Sequence, residues 1–461
     1  MKVGFITLGC DKNTVDTERY LGELSEYGGE YTASLDQADV IIVNTCGFID
    51  AAKKESIDAM IEAARYKTDG TCQAVVGVGC MIERHKEELI DALPEVDLFL
   101  GASETGRLAQ ELAQRGIIGG DPVALHPGVR MYTGDLPHVR YLKISEGCDH
   151  GCAFCAIPLM RGKHRSFSRD EVIREAQLLE LQGAKELNLV AQDLAHYGRD
   201  ILDGVRLPEL LESLVAETSV PWIRMLYLYS TGITPRLLEV VARESRILPY
   251  LDMPMQHASD AVLARMRRPE RKRTIRDRVA RFREAVPGVA IRTTCIVGFP
   301  GETESDFDEL MEFLEEIKFD RVGAFTYSPQ EGTKAAEMVD DVPEPVKRER
   351  LERLTELQRS ITTERYESRI GTRAQLIVDR VTDGVAIGRL PWQADDVDGI
   401  TYLDEVHAPG TLLEVAVEDV VDDYDFNASV VRVISLEVKP VPTSSRRSLP
   451  MAAITVGSYG R

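Results

Sequence analysis

The chain has 461 residues, of which 44% are hydrophobic and 28% are charged. This composition is ordinary for a folded protein and excludes the fibrous and intrinsically disordered classes. The length predicts two or three domains, and the formal net charge of -21 opposes binding of a polyanion unless a local basic patch intervenes.

The N-terminal sequence MKVGFITLGC turns polar at Asp11 after one short apolar run. A secretory signal needs a longer apolar region and a small-residue cleavage site, and no apolar run approaches the roughly 18 residues of a membrane-spanning helix. The eight cysteines are therefore expected in a reducing compartment, where thiols are metal ligands or core residues more often than disulfides. We expect a cytoplasmic protein without membrane association.

Residues 1–117 have the pattern of a parallel α/β sheet domain. Three apolar runs, at 3–8, 40–43 and 74–78, alternate with polar stretches of helical period. Continuous apolar runs are typical of parallel strands that are covered on both faces. A Gly- and Pro-rich stretch without periodicity follows, so residues 118–133 are predicted to be a linker.

Residues 134–370 predict a central TIM-like barrel, complete or partial. Six strand-like runs alternate with helical stretches: VRYLKIS, ELNLVAQ, WIRMLYLY, YLDMPMQ, AIRTTCIVGF and RVGAFTYS. Repeated βα units of this kind form parallel barrels. The first helix should begin at a capping box of Ser168 and Glu171, and a long charged helix is expected at about 345–369.

Residues 372–438 predict a small all-β barrel. Five short β-rich runs follow one another there: AQLIVDR, GVAIGRL, GITYLD, LLEVAVEDV and SVVRVIS. The final residues, 439–461, are rich in Pro, Ser and Gly and lack periodicity, so they are predicted to be a mobile tail.

A cysteine motif follows the first predicted barrel strand. Cys148, Cys152 and Cys155 have the spacing C-x3-C-x2-C, which can bind three irons of a 4Fe-4S cluster and leave the fourth without a protein ligand. Zinc is the alternative, with His150 or His164 as fourth ligand, although structural zinc sites commonly use paired C-x2-C units. An ordinary ferredoxin cluster would need a fourth cysteine nearby, and residues 156–168 contain none.

The other predicted strand ends should complete a pocket around this cysteine loop, because loops at the C-terminal ends of parallel barrel strands meet at one site. Each of these residues is a candidate for cofactor binding, and each could equally belong to a strand-to-helix turn. The candidates are Gln192, Asp193, Gln256, His257, Arg292, Thr294 and the loop GFPGE, with Gly298 and Gly301.

Three further cysteines fall at the C-terminal ends of the predicted N-terminal strands. Cys10, Cys46 and Cys80 each follow an apolar run. Strand ends of an open parallel sheet lie at one edge, where ligands bind, so these thiols predict a second cluster site; three buried structural thiols are the alternative. Cys72 begins the strand that Cys80 ends, roughly 26 Å away, and Cys295 lies mid-strand, so neither is expected to join a cluster.

The motifs around these cysteines resemble those of the radical S-adenosylmethionine methylthiotransferases. They read GCDKNTVDTE, NTCGFIDAAKKESID, VGC and YLKISEGCDHGCAFCAIPLMRGKHRS, and the resemblance extends over nearly the whole chain. It implies an N-terminal auxiliary-cluster domain, a radical barrel and a C-terminal TRAM-type barrel. It also implies two 4Fe-4S clusters, with S-adenosylmethionine as methyl donor and radical source.

The resemblance gives the two cysteine sets different roles. Cys148, Cys152 and Cys155 would hold the cluster that generates the adenosyl radical, while the N-terminal set would hold the auxiliary cluster that carries the sulfur. The basic residues after Cys155 are also candidates: Arg161 and Arg165 could bind a substrate carboxylate, or they could pair with acidic residues near the cysteine loop.

The family acts either on adenosines of tRNA or on an aspartate of small-subunit ribosomal protein S-twelve. The wording GC-x-KN-x-VD, NTCGFIDAAK and CAIPLMRGKHRS resembles the second type. Residues 372–437 contain four arginines, no lysine and fourteen acidic residues, whereas an RNA-binding TRAM module should be basic. This acidity suits a basic protein partner, although a merely solvated acidic face is the alternative.

We therefore expect a methylthiotransferase that acts on the β-carbon of that aspartate, with the ribosomal protein free or in its subunit. A donor such as flavodoxin or ferredoxin would supply electrons, and no strong nucleic-acid binding is expected. Two alternatives stay open: methylthiolation of a tRNA adenosine, and a non-catalytic iron-sulfur protein that binds or transfers electrons.

Overall fold

The computed structural model describes residues 1–119, 130–132, 134–395 and 397–434. Within them the chain forms the three predicted units in order: a parallel α/β sheet, a partial barrel and a closed β-barrel. Most of the predicted linker 118–133 and all of the predicted tail 439–461 lie outside the described residues. Among the described helices, none is both long and apolar enough to cross a lipid bilayer.

The N-terminal unit is a five-stranded, all-parallel sheet with strand order β2-β1-β3-β4-β5. Its central strands are buried along their whole length, between apolar clusters on the two faces. The three predicted strands correspond to β1, β3 and β4. Its elements are β1 (Lys2–Thr7), α1 (Asp11–Glu26), β2 (Glu30–Tyr31), β3 (Val40–Thr45), α2 (Asp50–Asp69), β4 (Ala74–Gly79), α3 (Cys80–Ala92), β5 (Leu98–Gly101) and α4 (Leu108–Gln114).

The central unit contains six parallel barrel strands in two three-stranded sheets, β10-β9-β6 and β11-β12-β13. An isolated parallel bridge pairs Ile223 of β10 with Ile247, three residues before β11, so the two sheets lie side by side and the predicted partial barrel is confirmed. Its elements are β6 (Val139–Lys143), β7 (Ser145–Glu146), α5 (Ile157–Arg161), β8 (Arg165–Ser166), α6 (Arg169–Leu181), β9 (Glu186–Val190), α7 (Leu207–Glu217), β10 (Trp222–Met225), α8 (Pro235–Arg243), β11 (Tyr250–Asp252), α9 (Asp260–Arg265), α10 (Lys272–Ala285), β12 (Ala290–Val297), α11 (Glu304–Ile317), β13 (Arg321–Thr326) and α12 (Glu344–Glu367).

The C-terminal unit is a closed five-stranded barrel with strand order β14-β15-β16-β18-β17, as predicted. Closure leaves no unpaired edge strand. Its strands are β14 (Arg373–Thr382), β15 (Val385–Arg389), β16 (Thr401–Leu403), β17 (Leu412–Val421) and β18 (Asp425–Val433).

This small barrel covers the N-terminal ends of the central strands. Trp222, Tyr250 and Ala290, each the first residue of a central strand, share an apolar cluster with the small barrel. Polar contacts cross the same boundary: His138 Nε2 with Asp379 (2.9 Å), Arg389 with Glu186 (2.7 Å), Trp222 Nε1 with Gln375 (3.2 Å) and the Tyr250 hydroxyl with Asp398 (2.5 Å). The C-terminal ends of the central strands are therefore left for a site.

Helix α1 connects the N-terminal sheet to the central barrel through buried charges. Asp16 on α1 pairs with Lys143 of β6. Arg19 on α1 lies 2.8 Å from Glu175 of α6. Because Asp16 and Lys143 are both buried, separating them would leave buried charges less well compensated, so the contact holds the two units in a fixed relative placement.

A candidate metal centre lined by six cysteines

Six of the eight cysteines line one cavity of about 460 Å³ between the N-terminal sheet and the C-terminal ends of the central strands. They are Cys10, Cys46 and Cys80 from the N-terminal unit and Cys148, Cys152 and Cys155 from the central unit. The other two, Cys72 and Cys295, are buried in apolar clusters away from the cavity. All eight are free thiols.

The three cysteines of the N-terminal unit form the N-terminal triad, and they lie at neighbouring ends of parallel strands. Cys10 is the N-cap residue of α1, Cys46 follows β3, and Cys80 is the first residue of α3. Gly79 has a φ of +100°, and a Cβ there would lie 2.5 Å from Oδ1 of Asn44, so the turn that presents Cys80 requires glycine. Two of the three thiols thus lie at helix N-termini, where negative charge is stabilised.

The central triad, which consists of Cys148, Cys152 and Cys155, lies on a loop that backbone hydrogen bonds hold in place. The Cys148 amide donates to the Gly162 carbonyl (3.1 Å), and the Cys155 amide donates to the Cys152 carbonyl (3.2 Å). Gly147 has a φ of +79°, and a Cβ there would collide with the Lys163 carbonyl. The loop therefore presents its three thiols with little freedom.

Burial controls the protonation of these thiols. It raises the pKa of Cys148 to about 11 and that of Cys80 and Cys155 to about 12, and it also raises the pKa of Cys46. Such thiols are poor nucleophiles at neutral pH, because only the thiolate attacks. A metal cation displaces the proton from a thiol, so the donor set fits metal binding better than cysteine nucleophile chemistry.

Two arginines donate to cysteine sulfurs, one in each triad. Arg268 Nη1 lies 3.6 Å from Cys152 Sγ, and its guanidinium stacks on the Tyr229 ring at 3.9 Å. His150 stacks on Tyr229 at 3.9 Å and hydrogen bonds to Asp193. His150, an alternative zinc ligand from the sequence, is thus held by an aromatic ring and a carboxylate.

Arg161 serves the N-terminal triad. Its Nε donates to Cys80 Sγ at 3.0 Å, and its Nη1 donates to Asp16 at 2.6 Å. The side chain lines the cavity with only 5% of its surface exposed. Arg165 is exposed and stacks on Phe167 outside the cavity lining. Binding of a substrate carboxylate stays a prediction for both arginines.

Four predicted cofactor-binding residues line the cavity: Gln192, Gln256, Arg292 and Thr294. Asp193 does not line it; one carboxylate oxygen accepts hydrogen bonds from the amides of Ala195 and Tyr229, and the other pairs with His150. Asp193 therefore organises two strand-end loops.

The GFPGE loop also lies outside the cavity lining. Glu302 accepts hydrogen bonds from the amides of Gly298 (2.8 Å) and Phe299 (3.2 Å), and the Gly301 amide donates to Asp341. The buried His257 ring lies 3.6 Å from the same Glu302 carboxylate. The structure thus shows a carboxylate-stabilised turn here, and cofactor contact by Gly298 and Gly301 stays a prediction.

The sequence did not identify several cavity residues. Tyr227 has a φ of +67°, its hydroxyl donates to Asp11, and Lys12 Nζ lies 3.3 Å from its ring centre. Arg268 follows helix α9, away from any strand end. The run WIRMLYLY contains Tyr227, but only the strained backbone, invisible in sequence, distinguishes it from an ordinary strand residue.

Three family models match the chain in the order of its structural units. They are the Uncharacterized protein family UPF0004 over residues 2–101, the Radical SAM superfamily over residues 142–314 and the TRAM domain over residues 370–431. A solved structure of the radical S-adenosylmethionine methyltransferase TsrM from Kitasatospora setae is similar, with a TM-score of 0.54 and 12% identity over 71% of this chain and 73% of that chain. This similarity supports the fold alone.

Full-length relatives are much closer. A ribosomal protein uS12 methylthiotransferase RimO from Anaeromyxobacter sp. (strain Fw109-5) is 44% identical over 97% of this chain and 95% of the relative. A protein of the same name from Desulforudis audaxviator is 43% identical over 94% of this chain and 98% of the relative. Identity at this level over nearly the full length, with all three units matched in order, shows that the chain belongs to the RimO methylthiotransferase family.

Proposed function

We propose that this protein transfers a methylthio group to the β-carbon of an aspartate in small-subunit ribosomal protein S-twelve, using two 4Fe-4S clusters and S-adenosylmethionine. The observation that carries the proposal is that two cysteine triads from different structural units line one cavity. A single cluster would need only one of them. The names of the relatives indicate the substrate.

Cys148, Cys152 and Cys155 would hold the radical-generating cluster, and Cys10, Cys46 and Cys80 the auxiliary cluster. When bound, the clusters supply the electron that cleaves S-adenosylmethionine and the site that carries sulfur. Each triad supplies three thiolates, which leaves one iron of each cluster open to a small ligand. The shared cavity would bring the two clusters into one space, because both triads line it.

Residues of the chain itself orient the cofactor and exclude water. Gln256, which follows β11, and Arg292 and Thr294, which lie within β12, line the cavity and offer polar groups to S-adenosylmethionine. Arg292 is held by Asp252 at 3.0 Å, so its guanidinium is already oriented. Phe154 and the buried Met160 contribute apolar surface to the cavity, which would limit the access of water to a bound cofactor.

The surface of the small barrel supports a basic protein substrate. Six of its acidic residues are exposed: Asp383, Asp404, Glu405, Glu418, Asp419 and Asp422. A surface of this charge repels phosphates and attracts the basic surface of a ribosomal protein. We therefore propose that the barrel contacts protein rather than RNA. We also propose that the enzyme works in the cytoplasm, with flavodoxin or ferredoxin as electron donor.

Anaerobic reconstitution followed by reaction tests the proposal. Two clusters predict about eight irons per chain, and incubation with S-adenosylmethionine, sulfide, a reductant and small ribosomal subunits should add one methylthio group to the ribosomal protein. Peptide mass spectrometry would locate it. A plateau near four irons, or modification of tRNA alone in the same reaction, would overturn the proposal.

A further inference from the structure

Arg161 connects the two cysteine triads. It lies at the end of α5, six residues after Cys155, yet its guanidinium reaches the N-terminal triad. Its Nε donates to Cys80 Sγ at 3.0 Å and its Nη2 donates to Oδ1 of Asn13 at 2.5 Å. Asn13 in turn donates through Nδ2 to the carbonyls of Leu8 and Thr45, the chain that flanks Cys10 and Cys46.

The contact with Cys80 is charge-assisted and buried. Cys80 is 7% exposed, and the Arg161 side chain is 5% exposed. A hydrogen bond from a cation to sulfur is stronger in such surroundings than in water. Asp16 and Glu146 lie on the other side of the guanidinium, at 2.6 Å and 3.3 Å, so Arg161 separates two carboxylates from the thiol.

We propose that Arg161 is a positioning residue for the auxiliary cluster. It holds Cys80 against the loop of the central triad, and it raises the reduction potential of the cluster that Cys80 helps to hold. This inference rests on the proposed function, because it requires a cluster at the N-terminal triad. Hydrogen bonds to ligand sulfur and nearby positive charge favour the reduced, more negative state of an iron-sulfur cluster. Without Arg161, only Lys143 would still oppose the charges of the neighbouring carboxylates, Asp16 and Glu146.

Arg268 makes the equivalent contact with the central triad, but its place in the fold differs from that of Arg161. Arg268 donates to Cys152 from within the same structural unit. Arg161 belongs to the central unit, but it donates to Cys80 in the N-terminal unit. It can therefore hold the auxiliary cluster in a fixed position relative to the loop of the central triad. A purely structural arginine would stabilise the boundary between units without changing a potential.

The test isolates the auxiliary cluster in the full-length chain. Cys148, Cys152 and Cys155 are all changed to Ser, the protein is reconstituted anaerobically, and iron is counted before an EPR-monitored redox titration. In this background Arg161→Met should keep about four irons and become harder to reduce. We expect at least a tenfold rise in the oxidised-to-reduced ratio at a fixed potential, which is a 59 mV shift for one electron. Arg174→Met removes an exposed charge from α6 and should leave the potential unchanged.

The outcomes separate the two proposals. No iron in the triple-Ser background with Arg161 intact would overturn the auxiliary cluster and, with it, this inference. About four irons with equal potentials in Arg161→Met and the background protein would overturn the inference alone. If Arg161→Met cannot retain iron, the deciding variant is Arg161→Lys, because lysine keeps the charge but lacks the forked donor of arginine. A lowered reduction potential in Arg161→Lys supports the inference, and an unchanged potential overturns it.

Discussion

Gly147 and Gly151 directly precede Cys148 and Cys152, but they tolerate a side chain differently. Gly147 has a positive φ and no room for a Cβ, whereas an added Cβ at Gly151 would meet no atom within 4 Å. We predict that Gly147→Ala loses the central cluster, so that iron falls from about eight to about four per chain, while Gly151→Ala keeps it. Iron analysis after reconstitution measures both. Equal iron in the two variants would show that the loop geometry does not control cluster binding.

Cys80 and Cys72 provide a second comparison at the scale of single residues. Cys80→Ala removes a ligand of the auxiliary site, and we expect the iron content to fall to about four. Cys72→Ala changes a buried thiol that packs among apolar residues away from the cavity, so about eight irons should remain. Iron loss in Cys72→Ala, or full iron in Cys80→Ala, would contradict the assignment.

Single residues were predictable from the sequence where local spacing defines them. The cysteine ligand candidates follow from strand ends and from C-x3-C-x2-C, and the structure brings all six to one cavity. The surroundings of Arg161 could not be predicted, because Asp16 and Asn13 lie about 150 residues earlier in the chain. Only the folded arrangement of the two units shows that the guanidinium nitrogens of Arg161 already have protein partners.

At the scale of elements, helix α6 begins at the predicted capping box. The Ser168 side chain accepts from the Glu171 amide, and Glu171 reaches back to the Ser168 amide. We expect Ser168→Ala to lower the free energy of unfolding by about 1 kcal/mol, measured by urea denaturation. Thr355→Ala, in the exposed middle of α12, should be neutral or slightly stabilising. Equal destabilisation by both would argue against the cap.

Longer elements were predictable because hydrophobic period and capping act locally. The long charged helix, predicted at about 345–369, is observed as α12 (Glu344–Glu367). The missed strands are short: β2, β7 and β8 have two residues each, and β5 has four. A two-residue strand has no measurable period, and its pairing depends on partners that the fold supplies.

At the scale of the whole molecule, a buried ion network joins the small barrel to the central unit. Burial raises the pKa of Glu186, but the charges of Arg389 and Arg224 outweigh it and hold the pKa below its ordinary value. Asp379 behaves in the same way beside Arg389. Because both pKa values are lower in the folded state, their stabilisation is complete above about pH 4.5 and is lost as the pH falls through the folded-state values.

We predict that Arg389→Met lowers the free energy of unfolding by about 3–5 kcal/mol at neutral pH, since it removes the cation that Glu186 and Asp379 share and leaves them only Arg224 and His138 as partners. The pKa values of Glu186 and Asp379 should then rise, so the variant should lose less stability on acidification than the unchanged protein. Thermal unfolding across the acid range measures both effects. Arg380→Met, an exposed arginine on the same small barrel, is the control and should show neither.

The acidic surface of the small barrel gives a further prediction for the whole molecule. The triple variant Glu418→Gln, Asp419→Asn, Asp422→Asn should slow association with the basic ribosomal protein about tenfold at low salt, with a weaker salt dependence. Glu87→Gln, Glu88→Gln, Asp91→Asn removes as much exposed charge from α3 and should have a smaller effect. Stopped-flow binding measures the rates. Equal effects of the two triple variants would show that net charge alone controls association.

The small barrel covers the starts of the central strands, whereas the cysteine cavity lies at their far ends. Glu186 begins β9 and Gln192 lies two residues beyond its end, so about 20 Å of extended chain separates them. A substrate that touches the acidic barrel while its aspartate enters the cavity must therefore be long enough to reach along the outside of the central unit. A short peptide carrying the aspartate could react, but it would do so without the electrostatic anchor, and its reaction rate would be nearly independent of ionic strength.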